Sequence, residues 1–410
     1  MTNLKSWRFR LVARTHASHA WNTGSIPVGA TSVRTQSSSI FFAYRSRKST
    51  SLFCIRKKYR SKFRFSCLFV TIFTENQENV CKSCRHPPKK QQQSMSLDII
   101  QYNETHKEEW DAFVKTSKNG TFLFERNYMD YHKERFTDAS LMIYNDNRLC
   151  ALLPATLHEE KDAVVSHGGL TYGSLIIDTE ATSTLVLEIF SSIIEHYRNN
   201  SNAKKIIYRA IPYIYHQYPS EEDLYALFRL GARLTERKIS STIKLSDALP
   251  FKGRRKMTAA KTAQLRIVED GDFVAFWNVL TERLQEKYDV TPVHSIDEIE
   301  LLHSRFPDNI KLFRVTDLDD TTLGGVVVYI MKNVAHLQYI CTTDAGRKIG
   351  VMDHLYTYLI KERFAHMDYL DFGISTEQGG HVLNEGLIAN KERFGGRAVM
   401  YDAYEITIER

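Results

Sequence analysis

Three glycine-containing segments carry residue types and spacings that suit ligand binding. Arg347–Gly350 (sequence RKIG) falls between a predicted strand and a predicted amphipathic helix, where backbone N–H groups and the positive end of a helix bind phosphate. Ser166–Gly173 has three glycines in six residues and no Arg or Lys, which permits close backbone approach without predicting an anion site. Ser375–His381 opens a predicted helix and is a candidate second loop for an anion or substrate. The alternatives are a plain strand–helix turn for the first segment, a glycine-rich connection for the second and a helix with a solvated charged face for the third.

Two other short patterns are weak. Cys81 and Cys84 with His86 supply only part of a structural zinc site, and no second CxxC or HxxxH pattern lies nearby. Asp371–Gly373 spells the magnesium-binding DFG tripeptide of protein kinases, but the sequence has no glycine loop, β3 lysine or HRD motif to accompany it. We therefore predict neither a metal site nor a kinase.

Hydrophobic periodicity after Met95 predicts the scaffold that must position these segments, and it predicts two similar halves. The first half reads as a helix, an antiparallel meander, a helix near 180–198, a strand, a further helix and a closing strand at Ile239–Leu245. The second half repeats this order and ends in a strand at Tyr369–Ile374, a helix near 381–393 and a strand at Val399–Ile408. The repetition predicts a tandem duplication, with coincidence between two α+β domains as the alternative.

The same pattern sets the expected domain boundaries. We expect domains at 95–248 and 263–410, joined by a basic linker at 249–262. Lys252–Lys261 in this linker is the only dense basic stretch after Met95. It is either a solvated helix start or a phosphate contact in the cleft between the domains.

The order of elements resembles the GNAT N-acyltransferase fold, and its tandem form resembles the Fem-like, BioF2-type branch of that superfamily. The resemblance covers essentially all of 97–410 and is strongest at Cys341–Gly350, Leu370–Ser375 and Lys391–Arg397. It implies an α+β fold of two tandem GNAT-like domains, each a mixed, mostly antiparallel sheet flanked by helices.

The resemblance also implies acyl-CoA as co-substrate, with acetyl-CoA as the simplest case. In the superfamily an R/Q-x-x-G-x-G/A loop wraps the pyrophosphate, and Arg347–Gly350 matches the first half of this motif, while Met352 stands where Gly or Ala is usual. The implied cofactor-binding residues are Gly346, Arg347, Lys348, Ile349, Gly350 and Val351.

Acyl transfer from a thioester to an amine requires a base for the ammonium and N–H donors for the oxyanion. Many superfamily members place a carboxylate on the central strand, but Leu323–Met331 is apolar apart from Tyr329. The remaining candidates are Asp371, Glu377 and His336. Their alternative roles are a cap, a solvated loop residue and a cross-strand packing residue, respectively.

Substrate contacts are predicted on both sides of the cleft. His167 and Tyr172 are expected to face the cleft from the first half, with a glycine-rich connection as the alternative. The C-terminal region borders the acceptor pocket in Fem-like proteins, so the resemblance implies contacts from the segment after the strand at Tyr369–Ile374. The implied residues are Ser375, Asn384, Lys391 and Glu392. A solvated helix face is the alternative for Lys391 and Glu392.

The net charge of +7 is an average of two unlike segments. Residues 1–94 contain 18 Lys+Arg and two acids, a balance of +16, whereas 95–410 contain 37 Lys+Arg and 46 Asp+Glu, a balance of −9. Residues 1–94 read as a targeting peptide, a basic nucleic-acid tail, or a translated non-coding extension. The last is favoured because the segment around Gly24–Pro27 resembles a translated tRNA T-arm, which places the expected start at Met95.

These observations leave three hypotheses for the function. The first is an N-acyltransferase that moves an acyl group, most simply acetyl, from acyl-CoA to an amine of a small molecule such as an amino sugar, an amino acid or a cell-envelope precursor. The others are a Fem-like aminoacyltransferase that uses aminoacyl-tRNA, and a non-catalytic ligand-binding protein. The acidic body disfavours tRNA, because tRNA binding needs basic surface.

The cellular setting is inferred from cysteine usage and hydropathy. Cys150 and Cys341 are the only cysteines after Met95, which suits a reducing cytoplasm. No apolar run approaches the roughly 20 residues that span a bilayer. We expect a cytoplasmic protein whose partner is a small-molecule amine, without nucleic acid or membrane.

Overall fold

The computed structural model describes residues 30–34, 39–46, 49–56, 97–252 and 257–409. The chain divides into two compact units, residues 1–92 and 93–410. In the first unit, β1 (Ala30–Arg34), β2 (Ser39–Ser46) and β3 (Ser49–Arg56) form a three-stranded antiparallel sheet. Cys81, Cys84 and His86 lie outside the described residues.

The second unit contains two series of elements along the chain. The strands of its first half are β4 (Leu97–Gln101), β5 (Thr137–Asp138), β6 (Leu141–Asn145), β7 (Arg148–Leu153), β8 (Thr156–His158), β9 (Ala163–Val165), β10 (Ile176–Ile177), β11 (Lys205–Arg209) and β12 (Arg233–Lys244). The helices of this half are α1 (Lys107–Thr116), α2 (Arg126–Met129), α3 (Ser183–Asn200) and α4 (Glu222–Arg229).

The second half follows with its own strands and helices. Its strands are β13 (Arg266–Asp270), β14 (Ile310–Thr316), β15 (Thr322–Ile330), β16 (Val334–Thr342), β17 (Tyr369–Ile374), β18 (Thr376–Glu377), β19 (Val382–Leu383) and β20 (Arg397–Thr407). Its helices are α5 (Ala259–Thr262), α6 (Phe273–Tyr288), α7 (Ile296–Arg305), α8 (Asp344–Ile349), α9 (Val351–Tyr358) and α10 (Glu385–Arg393). A π-helix at Leu359–Arg363 follows α9, and short 3₁₀ helices occupy Glu104–His106, Phe122–Phe124, Asp130–Arg135, Glu159–Lys161, Tyr213–Tyr215, Leu245–Asp247 and Gln378–Gly380.

One eleven-stranded sheet runs through both halves in the order β13-β14-β15-β16-β17-β12-β20-β11-β9-β8-β5. Its centre is an antiparallel pair formed by β12, the last strand of the first half, and β20, the last strand of the second. β12 also pairs with β17 of the second half, and β20 also pairs with β11 of the first half. The last strand of each half therefore pairs with a strand of the other half. The mixed, mostly antiparallel α+β architecture predicted from the sequence is confirmed, while the domain boundaries stay a prediction.

Apolar helix faces pack on the strands of the second unit. Phe273, Phe276 and Trp277 on α6, which contacts β15 and β16, are 5% exposed or less. On α3, which contacts β4 of a separate four-stranded sheet in the order β10-β7-β6-β4, the residues Leu185, Ile189, Ile193 and Tyr197 are 6% exposed or less. Such burial is what an amphipathic helix supplies to a sheet. No helix among the described residues is long and apolar enough to cross a membrane.

Candidate active site

A cavity opens where two parallel strands diverge. β16 and β17 pair in parallel over three residues only, and the last pair is His336 with Asp371. Beyond this pair the strands separate around a cavity of about 500 Å³, which we call the splay cavity. Its wall combines β16 and β17 with parts of the first half; the lining residues are Leu170, Thr171, Tyr172, Arg209, Ala210, Glu236, Lys238, His336, Leu337, Gln338, Ile340, Phe372, Gly373, Ile374, Leu387, Lys391, Tyr401, Asp402 and Ala403.

Asp371 is completely buried at the closed end of this opening. Its Oδ1 accepts hydrogen bonds from the Ser240 and Thr242 hydroxyls on β12. Its Oδ2 accepts from the Tyr215 hydroxyl at 3.0 Å and the Tyr401 hydroxyl at 2.7 Å. Donors therefore reach the carboxylate from both halves of the chain.

His336 is a further donor to Asp371. Its Nδ1 lies 2.8 Å from Oδ2 of Asp371. Burial by itself raises the pKa of Asp371, but the hydrogen bond and charge of His336, with the hydroxyl donors, hold that pKa below its ordinary value. Because an ionised carboxylate only accepts hydrogen bonds, Nδ1 carries a proton, and Nε2 is the ring nitrogen left to accept a proton when the imidazole acts as a base.

Two buried tyrosines join the same network. The hydroxyls of Tyr215 and Tyr401 are 2.7 Å apart. Burial raises the pKa of both phenols well above the ordinary value, and the charge of Asp371 adds to this effect. Both side chains therefore stay protonated and act as hydrogen-bond donors around the carboxylate.

Lys391 brings a cation to the other side of the cavity. Its side chain is 7% exposed, and Nζ donates to the carbonyl oxygens of Gly373 at 2.8 Å and Ile374 at 2.7 Å. Burial lowers the pKa of Lys391 to about 8, although the Asp371 charge opposes the shift. Both the ammonium and the neutral amine of Lys391 are thus accessible near neutral pH.

The other predicted residues after β17 lie at or outside the rim. Ser375 is buried, and its Oγ has no hydrogen-bond partner among the described residues. Asn384 caps α10 by accepting from the Leu387 N–H, and its Nδ2 donates to the exposed Glu377 at 3.3 Å. Glu392 is exposed on α10. None of these four residues lines the splay cavity.

The structure separates the two residues predicted in the glycine-rich loop. Tyr172 lines the splay cavity, and its ring lies 4.8 Å from that of Tyr215. His167 instead lies in a separate cavity of about 20 Å³ with Arg126 and His132. The backbone of His167 is left-handed, with φ of 44°, a conformation that few non-glycine residues adopt.

The predicted phosphate loop, Gly346–Val351, does not run directly from a strand into one helix, as was expected from the sequence. A short helix, α8, precedes Gly350, whose φ of 81° ends α8 and begins α9. Arg347 and Lys348 are exposed, and Arg347 pairs with Asp344 at 2.8 Å. Gly346–Val351 does not line the splay cavity, and pyrophosphate binding there stays a prediction.

Sequence reasoning missed several residues of the cavity. Arg209 ends β11, Gln338 lies at a bulge in β16, and Tyr215 and Tyr401 donate to Asp371. The sequence contains only weak indications of these two tyrosines. Tyr401 lies within the predicted strand Val399–Ile408, and Tyr215 lies in an aromatic-rich segment that follows a predicted strand. The bulge depends on strand pairing and leaves no mark in the sequence.

The comparisons with known proteins agree with this arrangement. Residues 252–378 match the family model described as an acetyltransferase (GNAT) domain. This part of the chain is therefore similar to a GNAT acetyltransferase domain. The matched residues contain β16, His336 and Asp371, and the match supports the enzyme class of GNAT-type N-acyltransferases. No curated protein sequence shows significant similarity to the chain.

Solved structures resemble this chain in fold. A crystal structure of FemX is similar with a TM-score of 0.52 at 11% identity, over 74% of this chain and 96% of that chain. A tandem GNAT protein from the clavulanic acid biosynthesis pathway has a TM-score of 0.45 at 10% identity, over 77% and 99%. L-PGS from Bacillus licheniformis has a TM-score of 0.44 at 12% identity, over 72% and 90%. The likeness to FemX confirms the Fem-like resemblance noted in the sequence at the level of the fold.

Proposed function

We propose that this GNAT protein transfers an acyl group, most simply acetyl, from acyl-CoA to the amine of a small molecule bound in the splay cavity. The observation that carries the proposal is the His336–Asp371 pair at the point where β16 and β17 diverge. A buried, oriented imidazole at the wall of a cavity suits a general base.

His336 is the proposed base. With Nδ1–H held by Asp371, Nε2 is the acceptor that removes a proton from the amine as its nitrogen attacks the thioester carbon. Asp371 then stabilises the imidazolium, as a carboxylate behind a catalytic histidine does. Tyr215 and Tyr401 keep Asp371 ionised and fixed in position.

The bulge at Gln338 supplies the proposed oxyanion donor, and the Lys391 side chain supplies the proposed cation for the leaving group. Leu337 pairs with Val328 and Tyr339 with Val327, so Gln338 has no partner residue on β15. A backbone N–H released by a bulge beside the cavity suits the oxyanion of the tetrahedral intermediate. The C–S bond then breaks, and the Lys391 ammonium is placed to stabilise or protonate the departing thiolate.

The proposal assigns the two ends of acyl-CoA to different elements. Leu337, Ile340 and Phe372 form an apolar part of the cavity wall that suits the acyl end. Gly346–Val351, at the start of α9, remains the proposed seat of the pyrophosphate. Cytoplasmic localisation remains part of the same proposal.

The first prediction tests the base. His336→Ala should bind acetyl-CoA like the wild type but lower kcat by roughly 10²–10⁴-fold, because only proton transfer is removed. Thiol release from acetyl-CoA over a panel of amino sugars and amino acids measures kcat, and calorimetry measures binding. His366→Ala, at an exposed histidine of the same half, is the matched control. Equal activity in both variants would contradict the assignment.

A second candidate is aminoacyl transfer from aminoacyl-tRNA. The fold likeness to FemX favours it, since that structure is covered over 96% of its length. The same cavity would then accept an aminoacyl ester in place of a thioester. Binding of aminoacyl-tRNA without binding of acetyl-CoA would select this candidate over the first.

A further inference from the structure

Arg209 places a half-buried positive charge in the splay cavity, and no carboxylate among the described residues forms an ion pair or hydrogen bond with it. Its Nη1 donates to the carbonyl oxygens of Gly168 and Leu170, each at 3.3 Å. Burial lowers the pKa of the guanidinium, and the more distant charge of Glu236 opposes this shift only in part. A buried charge is costly unless an opposite charge or strong hydrogen bonds compensate it.

The carboxylates that share this cavity wall already have other partners. Glu236 pairs with Lys238 at 2.6 Å. Asp402 accepts two hydrogen bonds from Arg237, at 2.9 and 2.7 Å. Glu236 therefore acts on Arg209 only through its charge at a distance, and neither carboxylate contacts the guanidinium.

Other buried arginines of the chain are neutralised within the fold. Arg126 pairs with Asp130 and Asp138, and Arg314 pairs with Asp270. Both are only 3% exposed, so the fold supplies carboxylates where an arginine is buried for structure. Arg209 differs because its guanidinium lines a cavity with room for a ligand.

We propose that the acyl acceptor carries an anionic group, a carboxylate or a phosphate, which binds Arg209 in the splay cavity. This rests on the proposed function, because it treats the cavity as the acceptor's site. A guanidinium presents a planar fork of donors that matches both anions. Lys238 and Lys391 line the same cavity and add to the favourable field.

The anion belongs to the acceptor rather than to the phosphates of acyl-CoA because of where the residues lie. Arg209 is on β11, in a wall that the first half builds with Leu170–Tyr172. The proposed pyrophosphate seat, Gly346–Val351, belongs to the second half and does not line this cavity. The inference thus narrows the acceptor to amines with an acidic group, such as an amino acid or an amino-sugar phosphate.

Calorimetric titration of the full chain with inorganic phosphate and with succinate, at constant ionic strength, tests the inference. At least one anion should bind the wild type, and Arg209→Gln should weaken that binding by about tenfold or more. The anion affinity of Arg209→Lys, which keeps the positive charge but not the planar set of guanidinium donors, should lie between those of the wild type and Arg209→Gln. Arg229→Gln, at an exposed arginine on α4, is the matched control and should bind like the wild type. Preference for phosphate or for succinate identifies the anionic group.

Several outcomes would overturn the inference. One is that neither anion binds the wild type. Another is that Arg209→Gln or Arg209→Lys binds the anion as tightly as the wild type does. A third is that binding is lost in Lys348→Ala and not in the Arg209 variants. Acetyl-CoA titrated into the same proteins separates the two proposals. Wild-type protein that binds acetyl-CoA but neither anion overturns the acceptor inference alone, whereas failure to bind acetyl-CoA counts against the proposed function.

Discussion

Buried ionisable side chains in this chain follow two different rules. Asp371 stays charged because donors surround it, whereas His132 and His167 are held neutral by burial. Burial, aided by Arg135, lowers the pKa of His132 to about 4; burial, aided by His132, lowers that of His167 to about 3. The charged carboxylate belongs to the candidate site, and the neutral pair lies in the separate small cavity.

The neutral histidine pair predicts acid sensitivity. An unfolded histidine binds a proton below its ordinary pKa of 6.5 while the folded one does not, so the free energy of unfolding should fall as pH drops below about 6.5. Each such histidine contributes about 1.4 kcal/mol per pH unit. Asp371 affects stability in a different pH range. Because its pKa is lower in the folded than in the unfolded chain, it stabilises the fold above pH 3.8, and this stabilisation is lost as the pH falls below that value.

Urea denaturation at pH 7 and pH 5 measures this effect. His167→Asn should reduce the loss of stability between the two pH values, since asparagine tolerates the positive φ of this position and does not titrate there. His366→Asn, at an exposed site, is the control and should lose as much as the wild type. An unchanged loss in His167→Asn would contradict the prediction.

At the scale of elements, two similar sequence patterns form different structures. Ser295 and Glu298 form a capping box at the start of α7. The similar pattern Thr105–Glu108 does not cap α1, because Asn103 starts a 3₁₀ helix upstream and its side chain accepts from the Thr105 N–H. The preceding turn therefore decides whether a capping pattern is used.

This contrast predicts unequal effects of two matched substitutions. Ser295→Ala should lower the free energy of unfolding by about 1 kcal/mol, because the Glu298 N–H loses its acceptor. Thr105→Ala should change it by no more than about 0.5 kcal/mol, as for a surface position. Denaturant titration of both variants measures the difference, and equal losses would rule out this account of the caps.

At the scale of the whole molecule, the central sheet makes the two halves depend on each other. β20 lies between β12 and β11, and β12 lies between β17 and β20. Thr242 on β12 donates to Asp371, and Tyr215 and Tyr401 reach it from different halves. The fold and the candidate site therefore both require the two halves together.

We accordingly expect residues 95–248 and 263–410 not to fold as separate fragments. Each fragment would expose the strand edges that normally pair with the exchanged strand, and unpaired edges are unstable in water. Circular dichroism on heating should show one cooperative transition for the intact chain and none for either fragment. A cooperative transition in an isolated fragment would show that the halves fold independently.

The sequence by itself was enough for the α+β class, the repeated order of elements and the GNAT resemblance, because these depend on local periodicity and short motifs. It also pointed to His336, Asp371, Tyr172 and Lys391 as candidates. Tertiary structure alone decided which of them meet: His336 and Asp371 form a pair at the divergence of β16 and β17, while His167 lies elsewhere. The bulge at Gln338, the strand exchange and the place of Arg209 in the cavity wall arise from pairing between distant segments, which no local pattern encodes.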